Sequence, residues 1–247
     1  MRVAVMIIGS LLWDTDPIRI TWRESRLLLD RRQHVQAFIA YRKRSPKSWQ
    51  NAFTMTFSDI ASGQAVLVPC RSEAVDVAGL LQEGRELWAA ERRGAKKGLI
   101  ASTWGCVGAA FRTEVASGPM AKSWGEYFNQ EVTTPVPPVD GQGKLRIPWP
   151  TRTDDGALVD CDVILATATD QTLPTPSPEI VADAWLQQPA NAERYFFENV
   201  GHGIRTAEDL AIWRRIEKSE PPWLNDSRYA EPIAILRREA GLASNRG

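Results

Sequence analysis

The sequence predicts an α+β fold: a small mixed, mostly antiparallel barrel-like sheet with flanking helices, followed by a helical C-terminal extension. Three observations lead there. Short stretches of alternating apolar and polar residues fill the first ~115 positions, the pattern of half-buried strands. A Pro- and Gly-rich stretch, TTPVPPVDGQGKLRIPWPTRTDDG over residues 133–156, then breaks regular structure. Beyond it, one strand-like segment is followed by segments with helical periodicity. The chain accordingly divides into an α+β domain over residues 1–132, a loop or linker over 133–156, and a strand plus helical extension over 157–247.

Residues 3–9 are an apolar run ending in Gly9-Ser10, the pattern of a buried first strand feeding a turn. Met1-Arg2 ahead of it resembles the charged start of a signal peptide, but the run closes on Trp13-Asp14-Thr15-Asp16 with no small-residue cleavage site. Residues 34–42, 51–58 and 64–70 alternate as strands do, and Ser62-Gly63 reads as a hairpin turn between the last two. Residues 73–92 switch to a helical period. Residues 98–104 and 105–113 return to strand composition, with Gly105 and Gly108 marking a bend or bulge. Residues 158–167 make a further strand. Helices are expected over 178–187, 190–200, 206–217 and 228–240, the third opened by a cap at Thr206-Ala207-Glu208-Asp209.

Composition narrows the function classes. Lys+Arg and Asp+Glu each number 30, and a net charge of zero argues against a phosphate-backbone binder, so no nucleic-acid partner is expected. No run of ~18 apolar residues exists, so no membrane span is expected either. The three cysteines, Cys70, Cys106 and Cys161, are odd in number and in no metal-ligand spacing. That usage fits a reducing cytoplasm without a structural metal. Two histidines, His34 and His202, leave few ways to build a His-dependent centre. Cys70 or Cys106 paired with one of them is a rival nucleophilic arrangement that nothing local supports.

Two local features can carry chemistry. Gly9-Ser10-Leu11-Leu12-Trp13 follows the first strand directly. A glycine there lets the chain turn sharply, so that successive N–H groups converge on one spot that can hold a carboxylate or oxyanion. The same residues also suit a plain strand-to-loop turn. The second feature is Glu91. With Leu87 at zero and about 100° per residue, Leu80 falls near ~20°, Trp88 near ~100° and Glu91 near ~40°, inside the apolar stripe. Glu86 falls on the opposite face and Glu83 near the rim. A carboxylate on that stripe lines a pocket, pairs with a core-edge arginine, or sits in a last turn that already meets water. Elsewhere, Gly201-His202-Gly203 reads as an anion site at a helix start or a plain inter-helix turn. Trp124, Trp149, Trp185 and Trp223 are candidates to line a groove or a partner surface, and Tyr195-Phe196-Phe197 and Trp213, at helical spacing, read as core. Arg92-Arg93 and Lys96-Lys97 read as a solvated helix end, and residues 133–156 are expected to border the pocket.

These features together resemble the gamma-glutamylcyclotransferase family, and more closely its glutathione-degrading ChaC-like branch, over roughly the first 115 residues. That family opens with an apolar strand into a tyrosine-glycine-serine-leucine turn, matched by Ile7-Ile8-Gly9-Ser10-Leu11-Leu12-Trp13. Arg26-Leu27-Leu28, Val35–Arg42 and Gln64–Val68 are counterparts of its next segments. Leu87-Trp88-Ala89-Ala90-Glu91 matches its leucine-x-x-x-glutamate motif. Ile8 stands where the family has tyrosine, and residues 116–247 have no counterpart. The resemblance implies release of 5-oxoproline from a gamma-glutamyl amine or peptide. Glu91 would be the acid/base, Gly9, Ser10, Leu11 and Leu12 would bind the substrate, and no cofactor or metal would be needed. The alternative is a catalytically inactive small-molecule-binding or protein-interaction module on the same fold. In either case the C-terminal helices are the expected surface for a protein partner or self-association.

Overall fold

The structure is a computed structural model that describes residues 1–44, 53–92, 98–169, 176–187 and 193–244. Its centre is a curled, half-barrel sheet in the order β2-β3-β1-β6-β5-β4. Strand β1 (Val3–Ile7) is buried at all five positions. It runs antiparallel to β3 (Phe53–Pro69) on one side and parallel to β6 (Val163–Thr169) on the other. Covered on both faces, it needs the unbroken apolar run VAVMI rather than an alternating one. All other pairings are antiparallel: β2 (Gln33–Arg44) with β3, β6 with β5 (Gly105–Phe111), and β5 with the short β4 (Ala101–Ser102). The sheet is therefore mixed and mostly antiparallel, and β6 lies at its centre, between β1 and β5.

Two glycine readings are corrected. Ser62-Gly63 is not a hairpin turn but lies inside β3, paired with Phe38 and Ala37. The register jumps from Phe38↔Ser62 to Ile39↔Phe57, leaving residues 58–61 as a four-residue bulge in one continuous strand. Gly63 is needed for close approach: a β-carbon there would stand 2.3 Å from the Arg205 carbonyl oxygen. The backbones meet at that point, Gln64 and Arg205 exchanging N–H···O bonds of 2.8 and 2.9 Å. Gly105 and Gly108 mark no bulge, since β5 pairs with β6 residue for residue. Their missing β-carbons leave room for the Ala168 carbonyl and the Val139 side chain, respectively.

Helix α1 (Pro17–Arg26) is capped by Asp16, whose carboxylate accepts from the Ile18 N–H at 2.9 Å. Helix α2 (Val77–Glu91) is capped by Asp76, accepting from Gly79 at 2.8 Å, and buries Leu80, Leu87 and Trp88. Helix α3 (Pro119–Glu131) falls in a stretch the sequence reading leaves unassigned. Its Ala121, Trp124, Gly125 and Phe128 make a buried stripe at helical spacing behind an N-terminal proline. Residues 133–156 form a docked loop rather than a linker. Its Val136, Val139 and Leu145 are buried, and it exchanges backbone bonds with Ala109 of β5.

The C-terminal helices are α4 (Pro178–Leu186), α5 (Arg194–Gly201), α6 (Asp209–Ser219) and α7 (Ala230–Ser244). Thr206 does not cap α6 through a helix N–H, because its hydroxyl bonds the Asp209 carboxylate. Phe196, Phe197, Trp185 and Trp213 are buried together, with ring centroids 5.2–6.4 Å apart along the chain of contacts, and Tyr41 joins them to the sheet. Among the described residues no helix is long and apolar enough to cross a membrane.

Asp162, just before β6, takes the Arg2 N–H at 2.9 Å and Arg112 Nη2 at 2.7 Å. Burial opposes its charge, but these donors and the two guanidiniums hold its pKa below the usual carboxylate range. A carboxyl whose folded pKa is depressed stabilises above its unfolded pKa, and that stability is lost as pH falls through the folded value. Asp162→Asn is therefore expected to cost about 1–2 kcal/mol at pH 7 and nearly nothing at pH ~2, checked by urea unfolding at both pH values.

Candidate functional site

The turn after β1 is locked from within and from α1. Leu12 N–H bonds the Gly9 carbonyl at 3.2 Å, and the Trp13 and Asp14 N–H groups both reach the Ser10 carbonyl, at 3.3 and 2.9 Å. The N–H groups of Gly9, Ser10 and Leu11 make no hydrogen bond among the described residues. Leu11 and Leu12 bury their side chains, which fixes the turn against the core. Arg23 donates to the carbonyls of Leu11 and Asp14, both at 2.8 Å.

Arg19, one helical turn earlier, ties this turn to the end of α2. Its Nη1 donates to Ser10 Oγ at 2.7 Å and to Asp14 Oδ2 at 3.0 Å, and its Nε donates to the Ala90 carbonyl at 3.1 Å. Its Nη2 donates to the Glu91 carbonyl at 3.5 Å and lies 3.8 Å from Glu91 Oε1, an ion pair. The ~80 residues separating Gly9–Leu12 from Glu91 in sequence are thus spanned by one buried guanidinium. Glu91 keeps only 14% of its side chain exposed, and its Oε2 lies 3.4 Å from Thr167 Oγ1 of β6. Of the other two acids of the helix, only Glu86 lies as its angle requires, Glu83 being more deeply buried than its rim position suggests. Glu83 is buried against Arg26, while Glu86 is exposed.

A phenol completes the cluster from the C-terminal part. Tyr195, in the first turn of α5, accepts the Met55 N–H at 3.2 Å and packs over Gly9, where a β-carbon would stand 2.6 Å from its hydroxyl. Its ring meets Trp13 edge-on at 5.9 Å, and Trp13 Nε1 donates to Asn199 Oδ1 at 2.8 Å. Burial pushes the phenol up to about 12, with the Met55 N–H acting the other way. It is therefore neutral and retains a proton to donate.

Sequence reasoning named Gly9–Leu12 and Glu91, which Arg19 links in the structure, and did not single out Arg19, Thr167 or Tyr195 beside them. Arg19 and Arg23, four apart on the first helix after the turn, were the available signal. Tyr195-Phe196-Phe197 was read as core, and so it is: Phe196 and Phe197 are fully buried and Tyr195 packs against them at the core's edge, its hydroxyl turned towards Gly9.

The remaining candidates resolve plainly. Gly203 (φ +72°) closes α5, with Ile204 N–H on the Asn199 carbonyl and Gly203 N–H on the Val200 carbonyl, so these amides are consumed by a helix-ending turn. His202 Nδ1 faces the Glu198 carbonyl at 2.8 Å, and His34 Nε2 faces the His202 carbonyl at 3.1 Å. Trp124 and Trp185 line no groove, being core residues, and Trp149 and Trp223 pack against that core. Arg92 lies over the Trp104 ring, and Arg93, Lys96 and Lys97 lie outside the described residues.

Cys70, Cys106 and Cys161 are buried, and burial pushes all three thiols up, Cys161 to about 12. A protonated, inaccessible thiol is a poor nucleophile. None of the three is expected to react with iodoacetamide at pH ~8 in the folded protein, with labelling only in denaturant, read by mass spectrometry. Among the described residues no group of three His, Cys, Asp or Glu side chains could hold a metal ion. The 133–156 loop borders a cavity, but one lined by none of Gly9–Leu12 or Glu91. No known protein family, curated protein or solved structure matches this chain.

Proposed function

We propose that this protein is a gamma-glutamylcyclotransferase-like enzyme that releases 5-oxoproline from a gamma-glutamyl amine or peptide, without a cofactor. The observation that carries the reading is the buried Arg19 link, which sets the Glu91 carboxylate beside a turn whose first three N–H groups have no partner among the described residues.

The chemistry follows from the substrate. Its α-amine attacks its own γ-carbonyl, the new C–N bond closes a five-membered lactam, and the amide C–N bond to the leaving group breaks. Tethering of nucleophile to electrophile lowers the barrier by removing the entropy of encounter. The amine is mostly protonated at neutral pH (α-amino pKa ~8), so it must first lose a proton. Glu91 relays, one at a time, the two protons that the ammonium sheds on becoming the lactam N–H to the departing nitrogen, which leaves as an ammonium, and the carboxylate ends as it began. Arg19 Nη2, 3.8 Å away, is the counter-charge of the Glu91 carboxylate. The Gly9, Ser10 and Leu11 N–H groups hold the substrate's carboxylate or the oxyanion that develops on the γ-carbonyl. Tyr195 offers the hydroxyl that Ile8 cannot, delivered from α5 rather than from β1.

A second reading is favoured by the packing of Tyr195 over Gly9 and by the Arg19–Glu91 pair, both of which take up room beside the turn. On it, the protein is a catalytically inactive small-molecule-binding or protein-interaction module on the same fold. Measuring 5-oxoproline released from glutathione and a panel of gamma-glutamyl amines separates the two. The enzyme reading expects turnover of at least one compound, lost in Glu91→Gln. No turnover above background for any compound leaves the module reading.

A further inference from the structure

Strand β6 changes character along one face. Its residues alternate across the sheet, so Val163, Leu165, Thr167 and Thr169 share a face, and the row passes from fully buried apolar side chains to two threonines. Valine would fill nearly the same volume without a polar group to satisfy, so a hydroxyl in that row needs a partner. At position 167 the partner is Glu91, with Thr167 Oγ1 lying 3.4 Å from Glu91 Oε2 across 76 positions of sequence. The hydroxyl is carried on a rigid element rather than a loop, because β6 pairs with β5 residue for residue and Val107 stands opposite Thr167.

The two oxygens of Glu91 thus face partners of different kinds. Oε1 is turned to Arg19 Nη2 at 3.8 Å, and Oε2 to the Thr167 hydroxyl. A guanidinium only donates, whereas a hydroxyl donates to a carboxylate and, on rotating, accepts from a carboxylic acid. Thr167 can therefore stay bonded to Oε2 in both protonation states that a proton relay visits. A separation of 3.4 Å is long for O–H···O, as catalytic hydrogen bonds often are in a free enzyme, where they tighten only around substrate.

We propose that Thr167 is a positioning residue, its hydroxyl holding the Glu91 carboxylate in the orientation from which the proton is relayed. This inference rests on the cyclotransferase reading and adds a residue to it. The test compares Thr167→Val with Thr167→Ser in the full chain, measuring 5-oxoproline release from the gamma-glutamyl compound that wild type turns over fastest, together with Tm. Valine keeps the volume and the branched β-carbon but loses the hydroxyl; serine keeps the hydroxyl but loses a methyl. A purely structural role ranks valine at or above serine in both stability and rate. The positioning role reverses the order for rate alone. In Thr167→Val, kcat is expected to fall about tenfold with KM within about twofold of wild type. In Thr167→Ser, kcat is expected to stay within about threefold of wild type, although that variant is the less stable of the two. Should Thr167→Val fail to fold, Thr167→Ala against Thr167→Ser gives the same comparison, since both lack the methyl and only one lacks the hydroxyl. Wild-type kcat in the folded valine variant, or serine no faster than the variant without a hydroxyl, would overturn the proposal and leave Glu91 in its role. No turnover by wild type on any compound ends the cyclotransferase reading and this inference with it, so the two failures are told apart.

Discussion

Glu91→Gln is expected to lower the rate of 5-oxoproline release by roughly 10²–10⁴-fold while the protein stays folded. The substitution keeps the shape of the side chain and a group able to meet Thr167, but removes the carboxylate to which the proposal assigns the ammonium's proton. Because the lost step is proton transfer rather than binding, kcat should fall far more than KM rises. The fold should tolerate the change. Arg19 keeps its bonds to Ser10, Asp14 and the Ala90 carbonyl, none of which passes through the Glu91 carboxylate. A variant with wild-type kcat would remove Glu91 from the mechanism; circular dichroism of the same sample guards against mistaking unfolding for lost chemistry.

The largest effect on stability is expected at Arg205. Its Nε donates to Asp209 Oδ2 at 2.8 Å, and its Nη1 and Nη2 grip both oxygens of Glu239 at 3.0 and 2.8 Å. The group joins β3, α6 and α7 at one point, since its backbone is also bonded to Gln64. Asp209 is fully buried. Arg205→Leu strands that carboxylate without its counter-ion, at a cost of about 3–5 kcal/mol, measurable by equilibrium denaturation.

The pH dependence has a definite sign. Burial already pushes the Asp209 pKa up, with the guanidinium pulling against it. In the variant the carboxyl stays protonated to higher pH in the folded state than in the unfolded one. Its contribution is then favourable at low pH and lost as pH rises through the folded value. The gap between variant and wild type should therefore be wider at pH ~8 than at pH ~5. A gap independent of pH would mean that the pairing matters less than the packing of the aliphatic stem.

What the sequence revealed depended on the range over which each feature is written. The inward placement of Glu91 was legible because a helix angle is fixed by its immediate neighbours, and the same angles put Glu86 outside, but Glu83, placed near the rim, is buried by Arg26 of another helix, which no angle records. Strand textures were legible for the same reason. Gly63 was misread because a glycine signals only that a β-carbon is unwelcome. Whether a turn or a passing carbonyl excludes it depends on residue 205, far along the chain. Thr167 and Tyr195 were illegible as site residues because their contacts to Glu91 and Met55 span 76 and 140 positions. Helix α3 was within reach: Pro119 and the spacing of Ala121, Trp124 and Phe128 form an ordinary local signal that a reading focused on strands passed over.

The place of β6 sets how the molecule must be assembled. Val3 lies beside Val163, so the first strand made is completed by one that emerges 160 residues later. A nascent chain holds β1 with one flank uncovered through most of its synthesis, and a fragment ending before β6 would present that flank, and that of β5, to other chains as a template for sheet growth. Trimming this protein to the segment that carries Gly9 and Glu91 would yield aggregates rather than a folded domain.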